Sequence, residues 1–161
     1  YSILARIGSV IAPLFIPLGW GDWKMAVAAV TGLIAKENVV GTFGILFGFG
    51  EVAEDGEEIW GMLANSMTTY AAYSFLIFNL LCAPCFAAMG AIKREMNNAK
   101  WFWIAVGYQT LLAYVVSLIV FQLARMFAIG FTFGSVVGIL LLVGFIYLLV
   151  RKNPYTKNAK A

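Results

Sequence analysis

The sequence predicts an all-α fold, a polytopic bundle of transmembrane helices, some of them interrupted or re-entrant. Three observations carry that expectation. Hydrophobic residues make up 62% of the chain and charged residues only 12%, with a mean hydropathy of +0.87. Soluble domains run at about 45–50% apolar and about 25% charged, and a water-exposed domain of this size could not cover so much apolar surface. The apolar residues are gathered into five consecutive segments. Three of those five are broken by proline or by paired charges, while the last two are clean.

Residues 7–18 are short for a bilayer crossing and hold Pro13 and Pro17. Residues 25–50 are long but carry Lys36 and Glu37 in their middle, and 69–92 are interrupted by Pro84. Residues 101–127 and 132–150 read as continuous spans, since a crossing takes about 20 apolar residues. A helix break inside a bilayer survives only where protein or a water-lined cavity satisfies the freed backbone groups, and such breaks mark transporter binding sites. A binding site is therefore expected within residues 7–92. The chain divides into a broken-helix membrane region, 1–96, two terminal spans, 97–150, and a basic tail, 151–161.

The remaining composition narrows the chemistry. A net charge of +3 without a basic tract longer than two residues gives nucleic acid no footprint. Histidine is absent, so a metal must be held by thiol, carboxylate, amide, hydroxyl or backbone oxygen. The opening YSILARIGSVIAPLFIPLGW has one arginine before an apolar stretch, but its two prolines and the lack of a small-residue cleavage site argue against a signal peptide. With Tyr1 in first place, the chain is expected to be a piece of a longer protein.

Lys and Arg concentrate in KREMNNAK (93–100) and in the tail RKNPYTKNAKA (151–161). The two clean spans between them return the chain to one side, which the distribution of positive charge makes cytoplasmic. The acidic loop EVAEDGEE (51–58) then falls on the opposite side. Arg6 fits this scheme less well, and the path of residues 1–24 stays open.

In the third segment both cysteines lie in NLLCAPCF (79–86). Pro84 has no N–H for the carbonyl of Leu80 and crowds it, so the helix is expected to stop or kink near Cys82. A new half-helix starting after the break would hold Cys85 in its first turn, where the positive end of the helix dipole favours the thiolate. Asn79 and Cys82, three apart, share a helix face, so an amide oxygen can join the thiols. Thiolates select softer ions such as Fe²⁺, Zn²⁺ or Cu⁺ over Mg²⁺ and Ca²⁺. Two sulfurs do not close a four-ligand structural zinc site, and an oxygen-supplemented shell suits an ion that must leave. The plain alternative is that Cys82 and Cys85 are small packing residues.

In the second segment, LIAKENVVGT (33–42), each charge within the membrane costs about 2.5–3.5 kcal/mol on insertion scales. Neighbours in sequence do not face each other on a helix. Glu37 is therefore expected to attract or coordinate a cation, and Lys36 to pair with a carbonyl or reach an interface. The alternative is a re-entrant hairpin whose tip is simply wet. Gly44–Gly48 and Gly134–Gly138 have the small-residue spacing that lets helices approach closely.

Residues 3–48, 72–96 and 101–123 closely resemble the C-terminal membrane region of the ferrous iron transport protein B family, most specifically in GLIAKENVVGT, in AYSFLIFNLL with APC, and in AIKRE before the aromatic start and YQT of the next helix. The resemblance implies the second Gate motif and terminal helices of a bacterial-type inner-membrane Fe²⁺ importer. GTP and Mg²⁺ would be bound by an N-terminal GTPase domain, and the partners would be that domain, the first Gate motif, the lipid bilayer and possible further copies. The family's Pro-Cys falls on Pro84 and Cys85, and its Lys-Glu on Lys36 and Glu37. Cys82 stands where many relatives have an aromatic residue, and Asn38 where a β-branched or apolar one is commoner. No GxxxxGK[ST] phosphate loop occurs in the 161 residues, so GTP cannot be bound here by that device.

Two other readings are weighed against Fe²⁺ transport. A Gate-type transporter of a nucleoside or other organic solute would use Asn65, Ser66, Thr68, Thr69, Ser74 and Asn79. A membrane thiol oxidoreductase would cycle the CAPC cysteines, without the βαβ surroundings usual for that motif.

Overall fold

The computed structural model describes residues 3–32, 38–48 and 59–151, and among them every regular element is helical. The chain runs through α1 (Ile3–Phe15), a 3₁₀ turn (Ile16–Leu18), α2 (Trp23–Gly32), α3 (Asn38–Phe47), α4 (Trp60–Ser66), α5 (Thr69–Leu81), α6 (Phe86–Met96), α7 (Ala99–Ile129) and α8 (Phe133–Val150). Among the described residues three stretches are long and apolar enough to cross a membrane: Thr69–Met96, Ala99–Ile129 and Phe133–Val150. Counting the bent pair Ile3–Leu18 and Trp23–Gly32 as one span brings the number to four. The helical bundle with interruptions is thus the observed architecture.

Local chemistry sets where the spans begin. Thr68 caps α5 by accepting from the Ala71 N–H, and Asn98 caps α7 by accepting from the Lys100 N–H at 3.0 Å. Thr132 and Ser135 exchange bonds in a capping box at the start of α8. Asn97, at φ 44°, ends α6 in the left-handed conformation, which Asn tolerates better than most residues. α7, about 46 Å long by its 31 residues, is the spine against which α5, α6 and α8 pack.

The first segment bends, but not at its prolines. Pro13 lies within α1 and Pro17 in the 3₁₀ turn, whereas the direction changes by 94° between Leu18 and Trp23. The carbonyl that Pro13 leaves without a helical donor is that of Ser9, an exposed residue, so the helix continues through the proline. The corner itself is made by Gly19, whose φ of 87° is open to glycine and strained for other residues.

The second segment folds back on itself. The Thr31 and Thr42 hydroxyls are 3.1 Å apart, although eleven residues of continuous helix would separate them by about 16 Å. Lys24, at the start of α2, lies 4.4 Å from the ring centre of Phe47, at the end of α3, a cation–π distance. A Cβ on Gly32 would stand 2.9 Å from Val39. Each of these pairs is centred on sequence positions 35 to 37, the signature of two antiparallel helices. Lys36 and Glu37, on which the ion-attracting reading of this segment rests, lie outside the described residues, as do the acidic loop 51–58 and most of the basic tail.

Of the two glycine pairs, the one in α8 faces a closely packed neighbour. Gly48 ends α3 at φ 91° with nothing within 4 Å of where its Cβ would stand, while Gly44 is buried. Gly134 and Gly138 leave room for the side chain of Gln122 on α7.

Candidate functional site

The core between the broken segments is aromatic. Trp20, just past the corner, stacks on Phe15 at 4.2 Å and meets Phe75 and Phe78 of α5 edge-on at 5.1 and 5.4 Å. Phe43 of α3 reaches Phe75 from the other side at 5.5 Å. Such offset and edge contacts add to the burial of the rings themselves. They fix α5 against both the corner and the α2–α3 pair.

α5 ends just beyond these rings. Leu81 is its last residue, Cys82 is its C-cap in extended backbone, and α6 starts at Phe86 with Cys85 as its N-cap. Four residues, CAPC, therefore separate the two half-helices. Cys85 stands one place before the first turn in which sequence reasoning expected it, still at the positive end of the α6 dipole. Cys82 is 1% exposed and Cys85 is half-buried, and the two are not joined in a disulfide.

Asn79 and Cys82 share the end of α5. The Cys82 thiol donates to the Asn79 carbonyl at 3.4 Å, and the Asn79 Nδ2 donates to the Phe75 carbonyl at 2.9 Å. The other amide atom, Asn79 Oδ1, is buried with no hydrogen-bond partner among the described residues. It faces Gly32: a Cβ there would lie 2.9 Å from Oδ1. The last described residue of α2 thus abuts an unpaired amide oxygen one turn before CAPC, and the two broken segments meet at that point. A buried acceptor without a donor is costly and is chemically suited to a cation.

The described residues bring together no cluster of three among His, Cys, Asp and Glu. What they offer a metal is thiol and amide oxygen from Asn79, Cys82 and Cys85, a set short of the four ligands of a closed zinc site.

Sequence reasoning missed the groups that hold the break in the first segment. The Tyr114 hydroxyl donates to the Leu14 carbonyl at 2.8 Å, and the Gln122 Nε2 donates to the Pro17 carbonyl at 3.1 Å. Trp20 Nε1 donates to Ser74 Oγ at 3.3 Å, which in turn donates to the Ser117 carbonyl at 3.1 Å. The available signal was the set of polar positions 114, 117 and 122, which fall on one side of the mostly apolar stretch between Thr110 and Arg125 of α7.

The family profile described as Gate, nucleoside recognition, matches residues 1–99. The chain is 43% identical to the Fe(2+) transporter FeoB of Methanocaldococcus jannaschii over 119 residues, which are 74% of this chain and 17% of the relative. It is 34% identical to the Fe(2+) transporter FeoB of Staphylococcus aureus strain COL over 126 residues, 78% of this chain and 18% of the relative. Against the Fe(2+) transporter FeoB of Helicobacter pylori the identity is 35% over 120 residues, 74% and 18% respectively. The chain therefore spans less than a fifth of the length of these relatives. No solved structure matches it.

Proposed function

This chain belongs to the Gate family, and from that premise we propose that it is the membrane permeation part of a ferrous iron importer. The observation that carries the reading is the meeting of the two broken segments at Asn79 Oδ1 and Gly32, one turn before the CAPC interruption. The names of the similar proteins support Fe²⁺ as the transported ion. In this reading Cys85 offers the ion a thiolate, Asn79 offers an amide oxygen, and Cys82 joins them from the end of α5. Glu37 attracts the cation towards this point, and Lys36 pairs with a carbonyl or reaches an interface. A shell of few ligands releases its ion more readily than a closed four-ligand site.

The division of labour follows the breaks. Residues 1–96 form the path, the two helices of 97–150 brace it, and the tail 151–161 lies in the cytoplasm below a bacterial-type inner membrane. Opening is driven by a GTP- and Mg²⁺-binding domain elsewhere in the parent protein, and the path packs with the first Gate motif of the same chain, in one copy or several.

Anaerobic Fe²⁺ uptake by the intact transporter tests this. Cys85→Ser and Glu37→Gln are each expected to lower uptake by at least about tenfold, the least that changes in the groups around a bound metal commonly cost. Normal uptake by both variants would overturn the reading.

The description of the matched family as nucleoside recognition favours an organic solute instead. Yet several polar groups that would read a sugar or base are engaged within the fold. Ser66 Oγ donates to the Leu63 carbonyl, Thr68 caps α5, and Ser74 lies between Trp20 and Ser117. Competition of nucleosides with Fe²⁺ uptake separates the two: none is expected for an iron path.

A further inference from the structure

We propose that Gln122 is a positioning residue for the ion path, acting through the corner of the first segment. The inference rests on the transport reading above and assigns a task to a residue that touches none of the candidate ligands.

Gln122 is buried on α7, facing the Pro17 carbonyl and the glycines of α8. Packing alone gives no reason for an amide there, because its Oε1 has no hydrogen-bond partner among the described residues. An unpaired buried acceptor is a penalty that leucine or methionine would avoid. The compensation is at the other end of the amide. Nε2 donates to the Pro17 carbonyl, which sits at the end of the 3₁₀ turn, where a helix leaves its last carbonyls without internal donors. Within a membrane that carbonyl has no water to turn to.

The amide is held in place by shape. A Cβ on Gly134 would come within 2.5 Å of Oε1 and 2.9 Å of Nε2, and one on Gly138 within 2.8 Å of the Gln122 Cβ. The two glycines of α8 are a notch fitted to this side chain. α8 thus reaches the first segment through Gln122.

From Pro17 the path to the candidate ligands passes through three aromatic residues. The turn leads into Trp20, whose ring is received by Phe75 and Phe78. The carbonyls of those same two residues hold the ligand positions: Phe75 accepts from Asn79 Nδ2, and Phe78 accepts from the Cys82 N–H at 2.8 Å. A corner that loses its anchor at Pro17 shifts the rings that brace Asn79 and Cys82. The expected consequence is a poorer fit to the ion rather than an unfolded bundle.

The test is anaerobic Fe²⁺ uptake by the intact transporter in liposomes, normalised to folded protein. Gln122→Met keeps the length and removes the donor. It is expected to raise KM for Fe²⁺ about tenfold while the maximal rate stays within about twofold, the scale of one lost hydrogen bond. Gly134→Ala, which pushes on the amide, is expected to raise KM similarly. The same change is expected to add nothing in a Gln122→Ala background, where the notch is empty. An unchanged KM in Gln122→Met, or equal effects of Gly134→Ala in both backgrounds, would overturn the proposal. So would a fall in folded protein with KM unchanged, which marks a purely structural role. If Gln122→Met yields no folded transporter, a normal KM for Gly134→Ala overturns it alone. Absence of Fe²⁺ uptake by the unaltered protein would instead strike the transport reading.

Discussion

Gly19→Val is expected to yield no stably folded protein, because two independent penalties add at this residue. The backbone stands at φ 87°, where a β-branched side chain is strained by about 1–3 kcal/mol. The space a Cβ would need is occupied by the ring of Phe121 on α7, and overpacking a filled site costs about 1–3 kcal/mol more. Neither penalty is easily relieved. The ring belongs to the spine of the bundle, and the corner is tied to α7 at Leu14 and Pro17. Yield of monodisperse protein in detergent and its thermal unfolding are the measurements. Gly41→Ala is the control, since a Cβ there meets nothing within 4 Å, and it is expected to behave as the unaltered protein.

Gly32→Leu is expected to abolish most Fe²⁺ uptake, about a hundredfold, while leaving the bundle folded. A side chain here meets Asn79 Oδ1 and Val39 Cγ2, each 2.9 Å from the position of its Cβ. A leucine therefore drives α2 away from the end of α5, and an overpacking strain of about 1–3 kcal/mol placed on one contact shifts its populations by up to about a hundredfold. The spine is far less affected, because the caps of α5, α7 and α8 do not involve this residue. Uptake and thermal unfolding measured on the same preparation separate the two effects. Equal losses in both would show that Gly32 matters only for packing.

Composition and segment pattern made the helical membrane bundle legible, because hydrocarbon permits so few backbone arrangements. The CAPC interruption was legible for an equally local reason: a proline removes a donor four residues from its acceptor. The same rule found the end of α1, which gives way before Pro17 to the 3₁₀ turn, but it missed the 94° corner beyond that turn, and Pro13 breaks nothing. There an exposed helix tolerates one proline, and a glycine, not a proline, supplies the corner. Asn79 and Cys82 could be grouped from their spacing. The approach of Gly32 to Asn79 could not, since it depends on how α2 packs on α5. The partners of the broken backbone were the least legible, being 100 and 105 residues away in Tyr114 and Gln122. Only their polarity within an apolar span hinted at them.

The most direct measurement is the absorption spectrum of Co²⁺ bound to the intact transporter under anaerobic conditions, with cobalt standing for ferrous iron. Thiolate ligation produces sulfur-to-cobalt charge-transfer bands that oxygen ligands do not. These bands are expected in the unaltered protein, reduced in Cys82→Ser and absent in Cys85→Ser, with Asn79→Leu weakening Co²⁺ affinity while the bands persist. A Co²⁺ spectrum identical in the unaltered protein and in Cys82→Ser/Cys85→Ser would contradict an ion path through the break in the third segment.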